Sequence, residues 1–221
     1  MLFEISPILL LGFGLGLVHA LDADHIMAVS VLCNRRAGVP ETILYSSSWA
    51  LGHGSVLFAS SLLLTALGWS IPESVQLLAE AGVGVLLILM GVFCILRFRK
   101  ESISLHQHRH GNIVHTHWQN AKHNSYESHR SIFVGMLHGL AGSAPILALI
   151  PVTGKGDFRP ALVYLLVFML GVLLSMLGFG VSFGYIQNKL LGRDQRLFEW
   201  SRHFISVASI TVGGLWLTRL L

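Results

Sequence analysis

Charge is what this sequence has least of. Asp, Glu, Lys and Arg make up 12% of its 221 residues, against 53% hydrophobic. With a mean hydropathy of +0.66, that balance excludes an ordinary soluble domain and describes a polytopic membrane protein. Cysteine is nearly missing: Cys33 and Cys94 have neither metal-site nor redox spacing. No G-x-x-x-x-G-K-[ST] motif occurs, so any work the protein does draws on an ion gradient, the membrane potential or a partner. The N-terminus has no basic stretch and no small-residue cleavage pattern, so the first apolar run is expected to stay as a membrane span. The net charge of +4 and pI near 9.4 do not indicate nucleic acid, because the basic residues sit at the junctions between apolar segments.

What is present in abundance is apolar segments of spanning length. They run over residues 6–32, 42–68, 75–96, 132–152, 161–186 and 203–221. Pro7, Pro40, Pro72 and Pro160 fall at starts or in connections, whereas Pro145 and Pro151 predict a kink in the fourth span. The expected fold class is an all-α polytopic membrane protein of six transmembrane helices. Residues 1–97 form the first three-helix half, 98–130 a polar His-rich loop, and 131–221 the second half. Of the Lys and Arg residues, Lys155, Arg159 and Arg219 lie on one side of such a bundle and all the others on the opposite side. The positive-inside rule makes that second side cytoplasmic, with both termini outside and the His-rich loop inside.

The halves are related. Gly16-Leu-Val-His19-Ala-Leu21 returns as Gly135-Met-Leu-His138-Gly-Leu140, 119 residues later. At the same offset Tyr45, Leu51 and Gly52 align with Tyr164, Leu170 and Gly171. Repeats of three spans must be inverted in the membrane, an architecture that places transport sites near the midplane.

Chemistry concentrates in the first span, at His19-Ala-Leu-Asp22-Ala23-Asp24-His25. A helix beginning near Ile8 carries His19 about 17 Å down, close to mid-bilayer. Ionisable groups at that depth cost several kcal/mol each unless they are paired, metal-bound or facing water. On a regular helix His19, Asp22 and His25 share one face and Asp24 points elsewhere, unless the helix opens locally. Imidazole with some carboxylate suits nickel, cobalt, zinc or copper; magnesium and calcium call for more oxygen. The bland reading is a His–Asp pair that only fastens helices together.

His53, between Gly52 and Gly54 in the second span, is open to two readings: a ligand, or a satisfied packing residue. His138, in the small-residue stretch up to Pro145, is a candidate ligand, supporting partner or gate; Met136 beside it reads as core. The polar loop holds His106, His108, His110, His115, His117, His123 and His129, with spacings that suit exchangeable metal capture without a fixed polyhedron.

His19-Ala-Leu-Asp22-Ala-Asp24-His25-Ile26 resembles the HX4DH signature of the nickel/cobalt transporter (NiCoT/NicO) family. Leu51-Gly52-His53-Gly54-Ser55-Val56 is similar to that family's second-span motif, with Gly54 where a serine is usual. The short length and the His138–Pro145 segment most resemble the small UreH-like membrane proteins linked to urease gene clusters. The resemblance implies Ni2+ or Co2+ as transported substrate, no organic cofactor and no enzymatic activity. It also implies a bacterial plasma-membrane location, with cytoplasmic nickel chaperones or urease maturation proteins as partners, and leaves room for a homo-oligomer. Importers and exporters both occur in the family, so direction stays open.

The reading that follows is a secondary transporter of Ni2+ or Co2+ with His19, Asp22, Asp24, His25, His53 and His138 as metal residues. Three rivals are weighed against it. An intramembrane hydrolase would use Ser55 as nucleophile with His53 or His138 as base, but leaves the first-span acids unexplained. A thiol or electron carrier lacks a repeat mate for Cys33, position 152 being Val152. A non-transporting metal receptor or assembly subunit would use the His-rich loop to hand nickel to cytoplasmic urease maturation.

Overall fold

The computed structural model describes residues 2–34, 38–67, 72–100, 106–110, 113–117, 125–141 and 158–220. Its helices are α1 (Leu2–His19), α2 (Ala23–Cys33), α3 (Val39–Leu67), α4 (Glu73–Lys100), α5 (Ser125–Ala141), α6 (Phe158–Arg193) and α7 (Gln195–Thr218). Between α4 and α5, strands β1 (His106–His110) and β2 (Ile113–His117) pair antiparallel. The described residues are otherwise helical, as expected. The kink expected at Pro145 and Pro151 lies outside them.

Each apolar segment overlaps a helix or a helix pair, the 132–152 segment only as far as Ala141, its remainder lying outside the described residues. Among the described residues, α4 and α6 are long and apolar enough to cross a membrane, and α1 with α2 makes a third such span, bent by 55°. Arg196, Glu199 and Arg202 shorten the apolar part of α7.

The bundle is turned inside out relative to a soluble protein. Leu10, Leu78, Trp200 and Phe204 are exposed, whereas Ser30, Thr42, Ser46, Ser206 and Ser209 are buried. The buried hydroxyls tie helices together: Thr42 Oγ1 donates to the Gly180 carbonyl at 2.7 Å and Ser209 Oγ to that of Leu87 at 2.9 Å. In lipid, association rests on close packing and such bonds, because tails on the outside are as apolar as leucine.

Close packing is done by glycine, and its contacts recur at an offset of 119 residues. A Cβ on Gly16 would run into the Phe168 carbonyl oxygen, and one on Gly135 into that of Trp49. A Cβ on Gly52 would run into the Ile132 carbonyl oxygen, and one on Gly171 into that of Phe13. In both pairs every residue is 119 positions from its counterpart, so one contact between α1 and α6 recurs between α5 and α3. Helix directions agree. α1 runs alongside α6 in the same sense, Gly12 at Tyr164 and Leu17 bonded by Ser175. α3 runs with α5, whereas α4 and α7 meet head to tail, Gly84 at Leu217 and Gly91 at Ser206.

A candidate metal site at a broken helix

α1 stops at His19, and three residues later α2 starts on a new axis. The break is made by tightened turns, Leu21 N donating to Val18 O and Asp22 N to His19 O. Asp22 occupies the N-cap of α2 but makes no capping bond with its side chain. Its carboxylate instead accepts from His19 Nδ1 at 3.1 Å. The geometry favours both charge signs. The C-terminal end of α1 presents carbonyls suited to a cation, and the N-terminus of α2 favours the acids of Asp22 and Asp24.

The break settles how the motif is arranged. On a continuous helix Asp24 would diverge; here its Oδ2 lies 3.5 Å from His25 Nε2. His25 Nδ1 bonds the His19 carbonyl at 2.8 Å. A carbonyl only accepts, so Nδ1 carries the hydrogen and Nε2 keeps its lone pair. The same logic applies to His19, whose Nδ1 donates to a carboxylate, and to His138, whose Nδ1 donates to the Val134 carbonyl at 3.1 Å. Fixing the tautomer through the far nitrogen is how histidine ligands are oriented toward metals.

His53 arrives from α3. Its Nε2 is 3.4 Å from His19 Nε2, and its ring centroid is 4.9 Å from that of His25. Two groups of donor atoms result, each spanning no more than 4.8 Å: His19, His25 and His53, and Asp22, Asp24 and His25. The first is all nitrogen and the second mostly oxygen, and His25 belongs to both. They also differ in access. His25 and His53 are buried, whereas the Asp22 side chain is 52% exposed.

His138 stands beside the nitrogen group and outside it. Its ring centroid is 6.0 Å from that of His25, and its Nε2 is buried without a hydrogen-bond partner among the described residues. Gly135 and Gly139, packed on the α3 backbone at Trp49 and His53, bring it there. Sequence reasoning missed Trp49, which stacks on His53 at 5.0 Å and 10° and meets His138 edge-on at 5.6 Å. The signal was available: Trp49 lies one turn before His53, and its mate at offset 119 is Phe168, which packs on His19 as Trp49 packs on His138. Ser55, the nucleophile of the hydrolase reading, donates to Gly52 on its own helix.

The structure therefore defines a helical membrane protein whose ionisable residues gather at a broken span. The family model described as cytochrome C biogenesis protein transmembrane region matches residues 9–215. The urease accessory protein UreH of Bacillus sp. (strain TB-90) is 31% identical over 182 residues, 82% of this chain and 78% of that one. A high-affinity nickel transport protein of Cupriavidus necator is 31% identical over 100 residues, 42% of this chain and 28% of that protein. No solved structure matches. The chain belongs to the family of that model and to the family of UreH, and its likeness to the nickel transport protein is consistent with the nickel/cobalt transporter family. Cys33 and Cys94 are both buried, and each donates to a backbone carbonyl.

Proposed function

We propose that the chain is a secondary transporter that carries Ni2+, and Co2+ with it, across the bacterial plasma membrane. It would do so through six spans arranged as two inverted halves, with both termini outside. The observation that carries the reading is the convergence of ring nitrogens from His19, His25 and His53 at a helix break lined by two carboxylates. Borderline divalent ions prefer such nitrogen-rich sets, and a cluster of this kind is costly in a membrane without a cation. The recurrence of the Gly16–Phe168 contact as Gly135–Trp49, with the helix directions that go with it, supports inverted halves.

In this reading the exposed Asp22 meets the ion first and hands it to the buried Asp24. His25, common to both groups, passes it to His19 and His53. His138 faces the nitrogen group from the other half, where rocking of the halves brings it into reach. Ligands must be deprotonated to bind, so flux should respond to an imposed pH gradient at fixed voltage.

The test is 63Ni2+ flux in proteoliposomes of the purified protein, beside His19→Ala and Asp24→Asn. Saturable flux lost in both variants is the expected result. Binding without flux in the native chain would instead support a receptor that delivers nickel to urease maturation, a reading favoured by the accessory role in the name of the Bacillus relative.

A further inference from the structure

Between α2, α3, α4 and α5 lies a cavity of about 370 Å3, and none of the metal-site residues lines it. Small-molecule sites have volumes of about 300–1,000 Å3, so it is large enough to hold a ligand. Val31 and Leu32 of α2, Met90 and Phe93 of α4, and Phe133 and Val134 of α5 make its walls apolar. His129 and Arg130, both exposed and near the start of α5, form its basic end. No carboxylate lines it. On α4, Arg97 follows Phe93 by one helical turn, which places a further positive charge toward the same end.

The cavity has a definite place in the bilayer. α2 and α4 end near it, and α3 and α5 begin there. In the topology argued from the sequence that end faces the cytoplasm. Phe93 and Phe133 belong to the wall and also stand on the surface of the bundle, 53% and 60% exposed, so the cavity opens sideways between α4 and α5. A side opening in a membrane protein meets acyl chains. Water has little to hold it there, since an ordered water needs about 2–4 polar partners and these walls are largely apolar. At the mouth, a guanidinium offers a phosphate two parallel hydrogen bonds, and basic pockets between membrane helices on the cytoplasmic side suit anionic headgroups.

We propose that this cavity binds an anionic phospholipid of the cytoplasmic leaflet, one acyl chain lying between α4 and α5 and the phosphate resting at Arg130 and His129. Charge complementarity selects the headgroup, and the apolar walls select the chain. The site depends on the chain spanning a bilayer and not on what the bundle carries. Its acyl chain packs on Val31 and Leu32, so it braces the same helix that carries Asp24 and His25 at its other end.

The test is native mass spectrometry of the full-length protein in detergent, titrated with palmitoyl-oleoyl phosphatidylglycerol or with phosphatidylcholine of the same chains. Phosphatidylglycerol should bind about fivefold more tightly or better, the gain that one basic residue at a headgroup provides. Arg130→Gln should remove that preference and leave phosphatidylcholine binding unchanged. Lys189→Gln, which removes an exposed charge from α6, should keep the preference. Met90→Trp fills the cavity and should weaken both lipids about tenfold. Excess inorganic phosphate should displace neither. Equal affinity for the two lipids, equal losses in Arg130→Gln and Lys189→Gln, unchanged binding in Met90→Trp, or displacement by phosphate would each overturn the proposal. Circular dichroism reports whether each variant has folded; if Met90→Trp has not, the comparison of Arg130→Gln with Lys189→Gln decides alone.

Discussion

Replacing Gly135 with alanine pushes one methyl group against the α3 backbone, at the Trp49 carbonyl carbon and oxygen and the His53 nitrogen. Backbone atoms cannot turn aside as a side-chain end can, so α5 and α3 must separate. Overpacking of this kind costs about 1–3 kcal/mol. Alanine also stabilises a helix by about 0.5–1 kcal/mol relative to glycine, which masks part of the cost. Gly178→Ala is the matching control, since nothing lies within 4 Å of its added Cβ and it gains the propensity alone. The difference between the two variants isolates the clash, about fivefold to 140-fold in an unfolding equilibrium. Gly54→Ala is an intermediate case, because its methyl meets the flexible Met169 side chain. Unfolding of the purified protein in mixed micelles would measure all three. Ni2+ titration of Gly135→Ala should also show weaker binding, since the same displacement moves His138 away from His53 and His25. If Gly135→Ala is as stable as Gly178→Ala and binds Ni2+ as well as the native chain, the α3–α5 approach described above is wrong.

Two further predictions separate chemistry from scaffolding. Asp22→Asn should leave helix content unchanged, because the native carboxylate makes no capping bond, yet weaken Ni2+ binding about 10–100-fold by loosening the orientation of His19; unchanged affinity in an isothermal titration would remove Asp22 from the site. The double variant Cys33→Ala and Cys94→Ala should keep full 63Ni2+ flux in proteoliposomes, whereas a thiol carrier would lose all activity.

Much of the site could be read in the sequence, for a local reason. His19, Asp22, Asp24 and His25 are neighbours in the chain, and four ionisable groups inside an apolar run carry a cost that only a shared role explains. The return of Gly16-x-x-His19 as Gly135-x-x-His138 was equally readable, since spacing is a property of sequence. Apolarity located the segments, and among the described residues α4, α6 and the bent α1–α2 pair are long and apolar enough to cross a membrane. Only tertiary structure could decide the rest. Whether Asp24 joins the cluster depends on where α1 breaks, and periodicity alone cannot settle that. Which nitrogen of His19 and His25 faces the site follows from hydrogen bonds made across that break. The place of Trp49 between His53 and His138 depends on contacts between segments. Those were decided by glycines that let backbones touch. Spacing along one chain determines which residues share a face, but only packing decides which faces meet.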